Sequence, residues 1–335
     1  VDAKALVCDE NQQFTLADVI LPDPGDGDIL IRTLYSGVSV GTEFALIRNK
    51  LSWGPYPICT GYQAVGVIEQ VGSGVQGFEA GQVVYFRHNR RIQLRDGRRV
   101  SGVSGTHCSH ALVDMGGNAH VAPLPDGVAE DAGSLFVMPS VGLHGVDMAN
   151  PRTGETVLVY GAGLIGLGVV AAASHRGAEV IAADLQPARL AAARQLGADH
   201  VIDVSRQKAE GELKALVPQG ADVVFECTGL PGCIDPAISL CRTRGTFVLQ
   251  GNYGADAISW HFLPAHGRQL RMLFPCDDGG PACRRAVMKN MAAGVLKWDV
   301  TLTHRVEAAD APRFYADLNA NKVEGLVGAV IHWSS

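Results

Sequence analysis

Residues 156–184, "TVLVYGAGLIGLGVVAAASHRGAEVIAAD", constrain the fold more than any other stretch of this chain. A β-branched run leads into Gly161-Ala162-Gly163-Leu164-Ile165-Gly166, a helical pattern follows, and a second apolar run ends in Asp184. A lone G-x-G-x-x-G says little. One that leaves a strand, opens a helix and is followed by an acid at the end of the next strand is a dinucleotide fingerprint. Gly161 permits the tight turn, and Gly163 lets the backbone approach a pyrophosphate at the helix N-terminus. Gly166 lets helix and strand pack closely. Asp184 is placed to accept hydrogen bonds from the adenosine ribose. A carboxylate there repels a 2′-phosphate, so NAD is expected over NADP; Arg189, five residues on, softens that preference.

From about residue 130 short apolar strands alternate with helical patterns, which predicts a parallel sheet covered on both faces. In such a sheet, ligands gather at the carboxyl ends of strands. Thr228 and Gly229 in "ECTG", and Gly251 and Asn252 after "TFVLQ", therefore join the candidate cofactor contacts. The first third is different. Runs such as "KALVCDE", "DILIRTLYSGVSV" and "GQVVYF" alternate over a few residues between turn signals, and they predict a partly open barrel. Within it, 87–99 holds six arginines and one aspartate around Asp96-Gly97. That segment is a hairpin, serving either as a solvated surface or as a cradle for an acidic substrate or a second subunit.

Composition narrows the function classes. A 47% hydrophobic content supports a sizeable core, and a net charge of -6 argues against nucleic acid as a partner. The most apolar stretch is broken by glycines, so no membrane span is expected. None of the eight cysteines forms a C-x-x-C pair, which predicts free thiols in a cytoplasmic protein.

The chain resembles the medium-chain dehydrogenase/reductase superfamily, the zinc-type alcohol dehydrogenase-like proteins, over nearly its whole length. "GAGLIGLGVVAAASHRGAEVIAADLQPARLAAARQLGADHVID" is similar to that family's cofactor segment, and "SGVSVGTE", "TGYQAVGVIEQVGSGV" and "GQVV" match its first-domain signatures. The resemblance implies an α/β protein. A GroES-like, partly open β-barrel catalytic domain (residues 1–137 and 275–335) would accompany a doubly wound Rossmann domain (138–274). It also implies a homo-oligomer, with "QLRMLF" a candidate edge strand for pairing. The closest flavour is that of the bacteriochlorophyllide dehydrogenase, polyol and cyclitol dehydrogenase branches. It rests on "SG-hydrophobic-S-x-GTE", on "GY" followed by an acid or amide, and on the tail "THR…Y…W".

Zinc members usually carry Cys-Gly-Thr/Ser-Asp, Gly-His-Glu, and a Glu or Cys before a proline. Here those positions hold Val40-Gly41-Thr42-Glu43, Gly61-Tyr62-Gln63 and Met138-Pro139. Val40, Tyr62 and Met138 offer zinc no thiolate, imidazole or carboxylate. The four-cysteine lobe of a structural zinc is missing too, so the resemblance implies a zinc-free member acting on a small molecule.

Two chemistries follow. In the first, the protein interconverts a secondary alcohol and its ketone. Thr42 matches the family hydroxyl that relays the alcohol proton, Tyr62 donates to the carbonyl oxygen, and Glu43 and Gln63 orient them. In the second, it reduces an enone or quinone C=C bond, where the enolate needs only a donor and a proton source. A reading of another class is a non-catalytic NAD(H) sensor or scaffold. Plainer roles stand beside these. Tyr62 fills vacated volume, Thr42 caps the helix that "TEFALIRN" begins, and His107, His110 and His144 are structural. Trp53 and Tyr56 form a substrate wall or a packed loop.

Overall fold

The computed structural model describes residues 1–48, 51, 54–89, 91–102, 104–116, 121–206 and 209–333. Trp53 and Arg90 lie outside them. The chain packs as two compact units. One is Val1–Phe136 with Leu302–Ser335, the other Val137–Thr301.

The first unit begins with β1 (Asp2–Cys8), β2 (Phe14–Ile20), β3 (Asp28–Val38), the helix α1 (Val40–Ile47) and the short β4 (Ile58–Cys59). Then come β5 (Ala64–Val71), β6 (Val83–Phe86), β7 (Ile92–Leu94), β8 (Arg99–Gly102), β9 (His110–Asp114), β10 (Val121–Pro123) and α2 (Glu130–Gly133). Strands β1, β2, β7, β8 and β4 close into a ring, while β3 pairs with both β5 and β9 in a second, open sheet. The expected partly open barrel is therefore present. The arginine segment is the β7–β8 hairpin, and Gly97 takes φ +89° at its turn, a conformation that favours glycine. Three of its six arginines pair with nearby acids: Arg91 with Asp28, Arg95 with Asp2 and Arg98 with Asp96. That pairing favours the surface role.

The second unit runs α3 (Val137–Ala149), β11 (Thr156–Tyr160), α4 (Leu164–His175), β12 (Glu179–Asp184), α5 (Pro187–Gln195), β13 (His200–Asp203) and α6 (Ala209–Leu216). It continues with β14 (Ala221–Glu226), α7 (Ile234–Ser239), β15 (Cys241–Leu249), α8 (Phe262–Gly267), β16 (Arg271–Leu273) and α9 (Gly280–Ala292). The six strands are parallel in the order β13-β12-β11-β14-β15-β16. This is the doubly wound order, which reverses direction beside β11 and opens a crevice there. Leu158, Ile181, Val224 and Phe247 fill one core of the unit; burying each is worth roughly 2 kcal/mol. Helices α3 and α4 touch through glycine. A Cβ on Gly142 would lie 2.5 Å from the Val169 nitrogen, and one on Gly168 would lie 2.8 Å from Pro139 Cα.

The chain then returns to the first unit as β17 (Leu302–Glu307), α10 (Ala311–Asn319) and β18 (Gly328–His332), with β18 joining β3. α10 buries Tyr315 and Leu318 in a core with Leu6, Phe44, Ile47 and Trp333. The return comes later than the expected residue 275. Residues 275–301 belong to the second unit, because the apolar face of α9 (Cys283, Val287, Met288, Met291) is buried there and α9 packs on α3. The start of that unit, expected at 138, is found at 137. The predicted edge strand is β16, and Phe274 just beyond it is 65% exposed. Among the described residues, no helix is long and apolar enough to cross a membrane.

Candidate functional site

In the second unit, β11 ends at Tyr160 and is followed by Gly161, whose φ of +99° turns the chain sharply. Gly163 is the N-cap of α4, with extended backbone at φ -68° and ψ -179°. The two remaining fingerprint glycines differ in kind. A Cβ on Gly166 would sit 1.9 Å from the Gly161 carbonyl oxygen, whereas one on Gly163 meets nothing within 4 Å. Gly166 is thus a packing residue, and Gly163 leaves a hollow before the first turn of a twelve-residue helix. Leu164 and Ile165 form that turn, half-buried, and Ala162 is fully buried.

Asp184 closes the hollow from the end of β12. Its Oδ2 accepts the Ala162 N–H and its Oδ1 the Gln186 N–H, each at 2.8 Å, and Arg189 Nη1 lies 3.7 Å from Oδ2. Glycine hollow, helix N-terminus and acid together fit a dinucleotide.

Thr228, Gly229, Gly251 and Asn252 sit at neighbouring strand ends, and one residue not picked out from sequence gathers them. Glu226 is fully buried at the end of β14. Its carboxylate accepts the Thr228 N–H at 2.9 Å, the Gly229 N–H at 3.3 Å, and the hydroxyls of Thr228 and Tyr253. Its backbone oxygen accepts the N–H groups of Gln250 and Gly251. Burial, together with the hydrogen bond to Glu226, raises the Tyr253 phenol well above its ordinary value.

In the first unit, the N-cap of α1 is Ser39 and the helix starts at Val40. Thr42 is its third residue, so the expected cap at Thr42 is displaced by three positions, because β3 runs directly into the helix. Tyr62, half-buried, donates its hydroxyl to Ser39 Oγ at 2.5 Å. Arg87 donates Nε–H to the Tyr62 carbonyl at 3.1 Å, and its guanidinium carbon lies 5.6 Å from the ring centroid, within reach of a cation–π contact. Burial pushes the Tyr62 phenol up to about 12, against the lowering effect of the Ser39 and Thr42 hydroxyls. Near neutral pH it is therefore a donor. Gln63 is buried behind it, with its backbone N–H on Thr106 Oγ1 at 3.2 Å.

Glu43 points inward from α1 and is wholly buried. Its Oε1 accepts the Ser39 N–H at 2.7 Å. Its Oε2 faces Thr60 Oγ1 at 2.8 Å, the Tyr315 hydroxyl at 2.7 Å and His107 Nε2 at 3.0 Å. Beyond the imidazole, Nδ1 meets Ser36 Oγ at 2.8 Å, and Trp333 Nε1–H donates to the same oxygen at 2.9 Å. A carboxylate only accepts, so Nε2 carries a hydrogen. Ser36, His107 and Glu43 follow the order of a hydrolytic relay. All three are fully buried, however, and no substrate can reach Ser36. Burial by itself would raise the Glu43 carboxyl. The charge and hydrogen bond of His107, the Ser39 N–H and the Tyr315 hydroxyl outweigh it and leave the carboxyl lowered. His107 is thus structural, as expected, yet it is joined to the site. His110 is half-buried and lies 3.5 Å from Glu69, and His144 is half-buried on α3. Tyr56 bonds the Ile47 carbonyl and packs on the α10 core, as a packed loop requires.

The zinc positions fail the test of donor chemistry. An isopropyl group, a phenol held protonated and a thioether do not bind Zn²⁺, and no step is derived through it.

Two outcomes test this geometry. Gly166→Ala should cost about 2 kcal/mol or more in urea unfolding. Gly163→Ala should change stability by less than about 0.5 kcal/mol yet weaken NADH binding about tenfold. Equal effects of the two would refute the division of roles. The second outcome concerns acid. The folded Glu43 carboxyl holds its proton less tightly than the unfolded one (about 4.3). Its stabilisation is therefore complete above that value and lost as pH falls through the lowered one. Thermal unfolding of the wild type should fall more steeply than that of Glu43→Gln as pH drops below about 5; parallel curves would deny the lowered carboxyl.

Two family models match the chain. One, described as zinc-binding dehydrogenase, covers residues 165–293, and one described as alcohol dehydrogenase GroES-like domain covers 25–126. The chain is 30% identical to an L-threonine 3-dehydrogenase of Chromobacterium violaceum, over 77% of this chain and 80% of that one. It is 31% identical to a sorbitol dehydrogenase of Macaca fascicularis, over 75% and 74%. A solved zinc-binding dehydrogenase from Sinorhizobium meliloti, bound to NADP, shares the fold with a TM-score of 0.84 at 23% identity, covering 99% of this chain and all of that one. The parallel six-stranded sheet, the GroES-like unit and these likenesses agree: the chain belongs to the zinc-type alcohol dehydrogenase family of the medium-chain dehydrogenase/reductase superfamily.

Proposed function

We propose that this protein is a zinc-independent, NAD(H)-dependent oxidoreductase that interconverts a secondary alcohol and its ketone. The observation that carries the reading is the Tyr62 phenol, which stands where zinc members carry a histidine, held on Ser39 Oγ and kept protonated. Gly161, Gly163 and the first turn of α4 would hold the pyrophosphate, and Asp184 the adenosine ribose. Nicotinamide, when bound, supplies or accepts the hydride.

The chain's own residues manage the oxygen. The one hydrogen of the Tyr62 phenol rests on Ser39 Oγ in the free protein; with a carbonyl oxygen bound, it would turn to that oxygen as negative charge develops there, and the Ser39 hydroxyl would donate to the phenol oxygen in its place. Ser39 Oγ and Arg87 hold the phenol and its ring for that exchange. Thr42, half-buried one turn along α1, offers a second hydroxyl to the same phenol. Two of the relatives named above are an L-threonine 3-dehydrogenase and a sorbitol dehydrogenase, which favours alcohol–ketone chemistry over C=C reduction. Asp184 favours NAD, although the Sinorhizobium structure contains NADP. The retained Thr42 and Glu43 weigh against a mere sensor. All eight cysteines are free, as suits a reducing cytoplasm. The exposed edge at β16 and Phe274 suits pairing between two copies.

The test is nicotinamide turnover with chelator present throughout. Polyols, cyclitols and secondary alcohols should be oxidised with NAD, and enones and quinones should not be reduced with NADH. Loss of turnover on chelation, or stoichiometric zinc, would overturn the metal-free reading; turnover of enones alone would replace the reaction. Asp184→Ser should lower the NAD-to-NADP ratio of kcat/KM by about tenfold or more, and an unchanged ratio would remove Asp184 from cofactor choice.

A further inference from the structure

The Glu43 cluster binds four separate parts of the first unit at one point. Ser39 belongs to the junction of β3 and α1, Thr60 follows β4, His107 precedes β9, and Tyr315 comes from α10. Glu43 lies 64 residues from His107 and 272 from Tyr315 in sequence. One carboxylate oxygen receives three side-chain donors, and the other is left for the Ser39 N–H alone. Ser39 in turn supplies the oxygen that takes the Tyr62 hydroxyl. The cluster therefore reaches the phenol from two sides: through Ser39, whose backbone is fixed by Glu43, and through Thr60, two residues before Tyr62, whose hydroxyl bonds Glu43 and whose carbonyl accepts the His107 N–H.

We propose that His107 and Tyr315, acting through Glu43, are positioning residues that hold Ser39 and so aim the Tyr62 hydroxyl. Neither touches substrate. Removing one donor leaves Glu43 buried with an incomplete shell. The carboxylate then turns toward its remaining partners or admits water, and the Ser39 N–H loses its fixed acceptor. The phenol keeps its place against Arg87 but not its direction. This inference rests on the reading of Tyr62 as the oxygen-side donor.

The experiment uses the full chain and four variants: Tyr62→Phe, Tyr315→Phe, His107→Leu and His107→Gln. Glutamine keeps a donor near the Nε2 position, and leucine does not. Amide exchange is followed over residues 39–43, with residues 161–184 as the internal control. Kinetics use whichever secondary alcohol the chain turns over. Tyr315→Phe and His107→Leu should speed exchange at Ser39 about tenfold with the control segment unchanged. They should lower kcat about tenfold while KM stays within about twofold, and His107→Gln should recover most of both. If exchange at Ser39 does not change, the proposal fails whatever the kinetics. If exchange rises but kcat does not fall, the cluster is a stabilising core only and the positioning role is refuted. Full kcat in Tyr62→Phe would instead overturn the reading of Tyr62, and with it the object being positioned. Should His107→Leu not fold, His107→Gln and Tyr315→Phe still decide the matter.

Discussion

A carboxylate with no access to water organises the first unit. Moving Glu43 out of solvent costs several kcal/mol on general grounds, and its four donors offset that cost only while all are in place. The cluster is consequently weakened by the loss of any one donor. Tyr315, one of its donors, also stacks on Phe44 with ring centroids 5.6 Å apart, and it lies in the apolar core of α10. Polar satisfaction and apolar packing thus enforce the same arrangement. A shift of α10 would strand the carboxylate and open the core together.

The second unit uses the same device twice. Asp184 and Glu226 are buried acids at the carboxyl ends of parallel strands, and both accept backbone N–H groups from loops at those ends. Of the residues assigned to the cofactor from sequence, Asp184 holds Ala162 in this way, and Glu226 holds Thr228, Gly229 and, through its backbone oxygen, Gly251. The loops are irregular and cannot satisfy their own N–H groups. A carboxylate at each strand end satisfies several at once and fixes the loop in doing so. Asp184 then has two duties, since the atoms that would meet a ribose already hold Ala162 and Gln186.

What was legible in the sequence follows from the range of each interaction. The dinucleotide unit is local: a strand, three glycines, a helix and an acid within thirty residues or so. Its fingerprint and its doubly wound class could be read from those residues, though not its strand order. The zinc positions were assigned from the family's ligand motifs, which are short and contiguous. The start of α1 was misplaced at Thr42, because the residues before it continue a β-branched strand pattern and hide the cap at Ser39. The return point near 275 was misplaced because α9 carries no signal of which sheet it covers. Tyr315 lies 208 residues from His107, and no periodicity connects them. Tyr315 and Trp333 did stand out in the tail "THR…Y…W", but as a likeness without a partner. Glu226 was quoted inside "ECTG" and passed over, since an acid ending a strand looks like a solvated terminus until the fold buries it.

On the metal-free reading proposed above, the cluster and Tyr62 make sense as one arrangement. A metal ion sets direction by coordination: three protein ligands fix it, and a substrate oxygen then has one place to bind. A phenol has no such constraint, because its C–O bond rotates and its hydroxyl takes whatever acceptor is nearest. For Tyr62 to turn its one hydrogen to a substrate oxygen, a hydroxyl held by something other than Tyr62 must stay against the phenol oxygen and donate to it. Ser39 is such a hydroxyl, and the backbone beneath it is fixed by a buried acid that has no freedom of its own. Rigidity that a metal would supply at the reacting oxygen is here moved one layer inward, to Glu43, His107 and Tyr315. On this view the cluster should be found wherever the tyrosine replaces the histidine, and a chain with the tyrosine but no buried acid behind it would have a phenol without direction.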